Sequence, residues 1–393
     1  MRREAYLKKL LPWLKSPEIV ALTGIRRSGK STLLLQIIDH LLRGGVSKEN
    51  ILYINFEEPI FETKASLSFL QEVYQTYLEH FNPRGRIYLF LDEVQLAKKW
   101  ERFAVSLYDR KDPVKIFVTG SSVKFLQNDV STLLSGRYLS EIIYPLNFAE
   151  FLDFNKVKYH GITTTEITHF LLEYLNYGGF PRVVLEKDKE QKTKLLQEYY
   201  NTIVERDIIF RHKLDNDRSV KELLLYLFAN LGNLFSTYSL EKTLGMPAEN
   251  IRRYLSFFEE AFLLGSVDFF SYKITQQIRQ PKKIYCADTG LANAVGFRFS
   301  ENRGRLLENL VYNHLRQKNK QIYYWKNEAA EVDFVVRRGY KTEEIYNVSW
   351  ETEDTATKLW EEKALQEGKK ALAVKKAFLI TFPSAPEFLL RKN

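Results

Sequence analysis

Lys30 is the first residue on which a chemistry can be argued. It stands in Gly24-Ile25-Arg26-Arg27-Ser28-Gly29-Lys30-Ser31, with Thr32 next; an apolar run precedes it and helical apolar spacing follows. Glycines let the backbone curl so that successive N–H groups face phosphate oxygens, and a helix starting at Lys30 adds its positive dipole end. In that setting Lys30 is expected to span the β- and γ-phosphates of a nucleotide, and Ser31 to ligate Mg²⁺ through its hydroxyl. A second feature, Leu89-Phe90-Leu91-Asp92-Glu93, ends an apolar strand with two carboxylates. Asp92 is expected to hold the magnesium shell and Glu93 to polarise water. Such a pair makes hydrolysis, rather than binding alone, the expected chemistry.

Five further residues carry weaker signals. Ser121, with Ser122 the alternative, follows the next strand in Val118-Thr119-Gly120-Ser121-Ser122, where a hydroxyl can orient the water or sense the γ-phosphate, or simply cap a helix. Arg137 precedes a fifth strand and is a candidate partner of the γ-phosphate, in cis or from a neighbouring subunit; Arg206 is a second candidate. Either arginine is equally readable as an ordinary ion-pair residue. Gly179 and Pro181, in Tyr177-Gly178-Gly179-Phe180-Pro181, lie on a tight turn that either packs against the nucleotide base or only breaks a helix.

These residues need a scaffold. Apolar runs at Glu18–Thr23, Ile51–Phe56, Ile87–Leu91, Lys115–Thr119 and Tyr138–Tyr144 alternate with helical spacing. Continuous rather than alternating runs predict strands covered on both faces, hence a parallel sheet in an α/β fold. Helical segments follow from Phe148 to Phe210. Three helices and a hairpin between Leu223 and Ala287 are patterned as a winged helix-turn-helix. From Asp288 a second α/β unit begins. The expected domains are 1–147, 148–215, 216–287 and 288–393.

Composition narrows the class. The 393 residues carry 58 Lys+Arg against 49 Asp+Glu, a net charge of +9. That balance permits contact with nucleic acid without demanding it. The single cysteine, Cys286, excludes an intramolecular disulfide and a cysteine-based metal site. Neither a leader-like N-terminus nor a membrane-length apolar run is present, so a soluble, cytoplasmic protein is expected.

Taken in order, the phosphate loop, Leu91-Asp92-Glu93, Thr119-Gly120-Ser121-Ser122, Leu134-Ser135-Gly136-Arg137, Pro145–Phe151 and Gly178–Pro181 resemble the AAA-type ATPases of archaea and bacteria. The resemblance extends through Asp288-Thr289-Gly290-Leu291, Leu307-Glu308-Asn309, Trp325 and Glu331-Val332-Asp333-Phe334. It implies a five-stranded P-loop ATPase core using ATP and Mg²⁺, a helical lid segment and winged-helix middle, and a terminal domain similar to restriction endonucleases. The basic balance and the winged-helix pattern suggest double-stranded DNA as a partner besides ATP, and a homo-oligomer is the other assembly expected. In the nuclease-like pattern Glu308 and Asp333 match the first two metal-site positions. Asn347 and Ser349 stand where an acid and a lysine belong. Serine carries no charge to stabilise a transition state, so this domain is expected to be catalytically silent. Cations of the winged helix, Arg252, Arg253, Lys273, Arg279, Lys282 and Lys283, are expected either to meet DNA phosphates or to belong to a lid.

Overall fold

Every apolar run of the first third forms a strand, and all five pair in parallel. The computed structural model describes residues 1–61, 64–110, 113–122, 134–158, 163–215, 217–296, 303–318, 320–350 and 355–391. It divides into two units, Met1–Tyr144 with Glu260–Phe262, and Pro145–Glu259 with Leu263–Asn393.

In the first unit, β1 (Ile19–Thr23), β2 (Ile51–Asn55), β3 (Ile87–Asp92), β4 (Val114–Gly120) and β5 (Tyr138–Ile142) order as β2-β3-β4-β1-β5. The central strands β1 and β4 are buried at every position, whereas the edge strands β2 and β5 are mostly half-buried. That is the burial expected of a parallel sheet with helices on both faces. Alternate residues serve opposite layers. Val20, Leu22, Phe90 and Phe117 pack on α1 (Glu4–Leu10) and α2 (Lys30–Arg43) through Leu7, Leu10, Leu33 and Ile37. Ala21, Leu89, Leu91 and Val118 pack with α3 (Leu67–Phe81) and α4 (Trp100–Asp109) through Leu70, Tyr74 and Phe103. Each fully buried aliphatic side chain contributes about 1.5–3 kcal/mol.

The second unit joins segments that were expected to be separate domains. Its helices are α5 (Phe148–Phe154), α6 (Thr164–Tyr177), α7 (Pro181–Leu185), α8 (Lys189–Thr202), α9 (Asp217–Ala229), α10 (Thr237–Leu244), α11 (Ala248–Glu260), α12 (Ile274–Arg279), α13 (Thr289–Val295), α14 (Arg303–Gln317), α15 (Thr355–Leu372) and α16 (Ala385–Leu390). A π-helical stretch, Ile203–Phe210, continues α8. The strands are β6 (Leu234–Phe235), β7 (Leu264–Phe269), β8 (Lys282–Cys286), β9 (Gln321–Lys326), β10 (Glu331–Arg338), β11 (Lys341–Ser349) and β12 (Lys376–Thr381). They form one sheet ordered β12-β11-β10-β9-β7-β8-β6.

The three-helix and hairpin pattern is present as α9, α10, α11, β7 and β8. However, β7 also pairs with β9 through Asp268–Tyr323 and Phe269–Tyr324. The boundary expected at 287/288 therefore falls between neighbouring parts of one continuous sheet. The segment expected as a lid, 148–215, likewise buries Phe148, Phe151, Leu152 and Tyr174 in a core shared with Leu307, Val311, Phe334 and Leu389. Burying the apolar faces of both segments in one core removes them from water together.

Candidate functional site: the phosphate loop and its carboxylates

The loop after β1 needs its glycines for different reasons. A Cβ on Gly24 would lie 2.2 Å from the Ile143 carbonyl oxygen, so this glycine lets the loop leave the sheet beside β5. Gly29 has φ 99° and caps α2, placing Lys30 at the first helical position. Arg27 also has positive φ, at 69°.

Lys30 is 4% exposed. Its ammonium donates to the carbonyl oxygens of Gly24 at 3.0 Å and Ile25 at 3.3 Å, and lies 3.6 Å from a Glu93 carboxylate oxygen. The Ser28 hydroxyl is buried without a hydrogen-bond partner. A buried orphan hydroxyl is costly, and one in a loop of this shape fits a phosphate oxygen. Arg26 pairs with Glu57.

Strand adjacency brings the acids to the loop. Because β4 lies between β1 and β3, with Thr23 level with Gly120 and Leu91 with Val118, the three C-terminal ends share one sheet edge. Ser121 follows β4 directly at that edge and is fully buried. Asp92, 1% exposed, accepts from the Tyr53 hydroxyl at 2.8 Å and from the Thr119 hydroxyl. Burial, then the Asp92 charge, pushes the Tyr53 hydroxyl far above its ordinary pKa, so it stays a donor. Glu93 takes the left-handed conformation, φ 51°. Its amide donates to the Thr119 hydroxyl at 2.8 Å, and its carboxylate accepts from the Gln95 amide at 2.6 Å. A non-glycine residue held there costs roughly 1–2 kcal/mol, offset by these bonds. The strain aims Glu93 at Lys30.

Sequence comparison bears on the same residues. A family described as an AAA domain matches residues 16–152, and two successive domains of unknown function match 168–302 and 303–381. An uncharacterised protein of Methanocaldococcus jannaschii is 35% identical over 364 residues, spanning 88% of this chain and 77% of its own. One from Haemophilus influenzae is 31% identical over 341 residues, spanning 86% and 84%. The chain belongs to this prokaryotic family of AAA-domain proteins. Its first unit is an AAA-type, nucleotide-binding ATPase domain, and the Gly24–Ser31 loop lies inside the matched range. Among solved structures, the DNA complex of Aeropyrum pernix Orc1 is 16% identical over 75% of this chain and 92% of its own, with TM-score 0.34. AMPPCP-bound DnaA of Aquifex aeolicus is 14% identical over 65% and 87%, with TM-score 0.32. Likenesses this distant carry no argument about activity.

Of the remaining expected site residues, Arg137 belongs to the first unit. Arg137 precedes β5 at the opposite, N-terminal edge of the sheet, where its carbonyl accepts from the Ile19 amide and its guanidinium pairs with Asp109 at 2.9 Å. Five β-residues separate it from the loop, roughly 15 Å. The cis reading of Arg137 is therefore corrected: its side chain does not reach its own loop. Arg206 belongs to the second unit, exposed on the π-helical stretch.

Gly179 and Pro181 also belong to the second unit, and there the structure gives them a packing role. The Gly179 amide donates to Asp288 at 2.6 Å, its carbonyl accepts from Leu146 at 2.7 Å, and Pro181 opens α7. A Cβ on Gly179 would sit 2.2 Å from the Leu146 carbonyl oxygen; one on Gly178 would overlap the Asp288 carboxylate. Burial raises the Asp288 pKa to about 6, against the pull of amides at Gly179, Gly290 and Leu291. The turn is thus a seat for Asp288, the N-cap of α13.

Two contributors escaped the motifs, and a third was marked without its role. Tyr53 and Thr119 hold Asp92; Tyr53 read only as part of an apolar run, whereas Thr119 stood in the Thr119–Ser122 motif with no partner assigned. Arg3, 4% exposed, donates to the carbonyls of Ser28 at 3.1 Å and Tyr144 at 2.8 Å, buttressing the loop from the N-terminus. No local signal marks it.

Proposed function

We propose that this chain binds ATP with Mg²⁺ on the Gly24–Ser31 loop and hydrolyses it, using the reaction to change the relation of its first unit to its second. The observation that supports this reading is the buried Lys30 ammonium, shared between loop carbonyls and Glu93. Polyphosphate oxygens compete for that ammonium more strongly than carbonyls do. As Lys30 turns to the β- and γ-phosphates, Glu93 is released to orient a water molecule and accept its proton. The water oxygen bonds to the γ-phosphorus while the bond to the bridging oxygen breaks, leaving ADP and inorganic phosphate. Mg²⁺, held by Ser31 and Asp92, would neutralise phosphate charge. Thr119 and Tyr53 keep Asp92 aimed, and Ser121 is placed to orient the water. Lys30→Ala is expected to abolish binding of a fluorescent ATP analogue. Glu93→Gln is expected to bind it normally while turnover falls about 100-fold or more. Equal turnover by Glu93→Gln and the parent would remove Glu93 from the mechanism.

A second reading, a nucleotide-switched DNA-binding module, rests on exposed cations of the winged-helix part. Arg252 and Arg253 project from α11, and Lys273 and Arg279 flank α12; all four are exposed. Lys282 is paired with Asp268 at 2.9 Å, and Lys283 is buried, so neither is offered to phosphates as expected. Retention on duplex DNA that weakens with salt, and weakens further in Arg252→Ala/Arg253→Ala, supports this reading. Absence of retention at low ionic strength ends it.

A further inference from the structure

Lys283 of β8 is 2% exposed, and its ammonium reaches three carboxylates. It lies 2.8 Å from Asp333 and 3.0 Å from Glu331, both on β10, and 3.2 Å from Glu308 on α14. An ammonium has three N–H donors, and each here has its own carboxylate. Around this core, the Tyr285 hydroxyl donates to Glu308 at 2.6 Å, and the Val348 amide donates to Asp333 at 2.9 Å. Asn347 donates to Glu361 of α15 at 2.5 Å and accepts from the Asp333 amide at 3.3 Å. Burial would strip the proton from Lys283, but Asp333, Glu308 and their neighbours outweigh it and hold the group charged well above its usual range.

Glu308 and Asp333 are the two positions where the nuclease resemblance implies a metal ion. The residues present do not fit one. With Lys283 in place, the oxygens of Glu308, Glu331 and Asp333 are already engaged by its ammonium. We propose that Lys283 is the resident cation of this centre, its ammonium standing where a divalent ion would otherwise bind, so that the centre is closed to metal. Two positive groups cannot share the space, because a divalent ion within about 3 Å of an ammonium is strongly repelled at low dielectric. Glu331 also lines a cavity of about 370 Å³ with Asn230, Asn233, Ser239 and Lys326, which brings one carboxylate of the cluster to a solvent-filled space.

The placement explains a second feature. Lys283 lies in the segment matched by one domain of unknown function, and its three partners lie in the next. A buried charge left unpaired is strongly destabilising, so the two segments depend on each other within one sheet.

The test is Mn²⁺ titration of the full-length, chelator-treated protein without nucleotide, followed by electron paramagnetic resonance. The parent is expected to show no Mn²⁺ site that disappears in Asp333→Asn. Lys283→Ala is expected to gain one site at least 10-fold tighter than any in the parent, lost again in Lys283→Ala/Asp333→Asn. An Asp333-dependent site in the parent overturns the proposal, as does a folded Lys283→Ala with no gain. Should Lys283→Ala fail to fold, the parent against Asp333→Asn decides alone. In that comparison, plasmid cleavage by the parent with Mn²⁺ that Asp333→Asn abolishes would also overturn it.

Discussion

Thr119 does most for the candidate site among residues to which the sequence assigned no role. Its single hydroxyl donates to Asp92 and accepts from the Glu93 amide, so one side chain sets both the metal-side carboxylate and the strained backbone of the proposed base. Thr119→Val keeps the shape and removes both bonds. Turnover is expected to fall about 10-fold or more, while the affinity of a fluorescent ATP analogue changes little, because Lys30 and the loop amides are untouched. Unchanged turnover would show that Glu93 needs no such support. The sequence sets Thr119 in the Thr119–Ser122 motif but gives it no role, because β-branched residues are ordinary in strands. Only the adjacency of β3 and β4 gives its hydroxyl a purpose.

At the scale of elements, the Gly178–Gly179 turn shows how one signal supports two readings. Helix-breaking was legible, since consecutive glycines stop a helix wherever they occur. Their partner was not, because Asp288 lies 109 residues beyond Gly179. Gly179→Ala forces a Cβ against the Leu146 backbone, where nothing flexible can give way. A loss of roughly 1–3 kcal/mol in unfolding free energy is expected by denaturant titration, with nucleotide affinity of the remaining folded protein unchanged. A specific loss of ATP affinity without destabilisation would instead restore the base-packing reading. The winged-helix elements carry the same lesson. Their spacing was legible, but the pairing of β7 with β9 was not, because strand partners distant in sequence leave no local periodicity.

At the scale of the whole molecule, Arg137 poses the question of assembly. It sits on the sheet edge away from its own phosphate loop, in a half-exposed pair with Asp109. If it serves a neighbour, turnover per chain should rise with protein concentration, and Arg137→Ala should abolish that rise. As an ordinary surface ion pair it would contribute only about 0–1 kcal/mol, and its removal would leave turnover unchanged at every concentration.

The sequence alone determined the parts whose physics is local. A glycine-rich turn between strand and helix is a phosphate cradle by backbone geometry, and unbroken apolar runs are strands covered on both faces. The five parallel strands, Lys30 and the pair Asp92–Glu93 were readable for that reason. What tertiary structure decided was which distant groups meet. It placed Thr119 on Asp92, seated Asp288 in the double-glycine turn, and turned Lys283 from an expected DNA contact into the buried partner of Glu308, Glu331 and Asp333. A lysine reads as solvent-facing by type, and only the converging carboxylates of other elements reverse that preference, since they offset its desolvation.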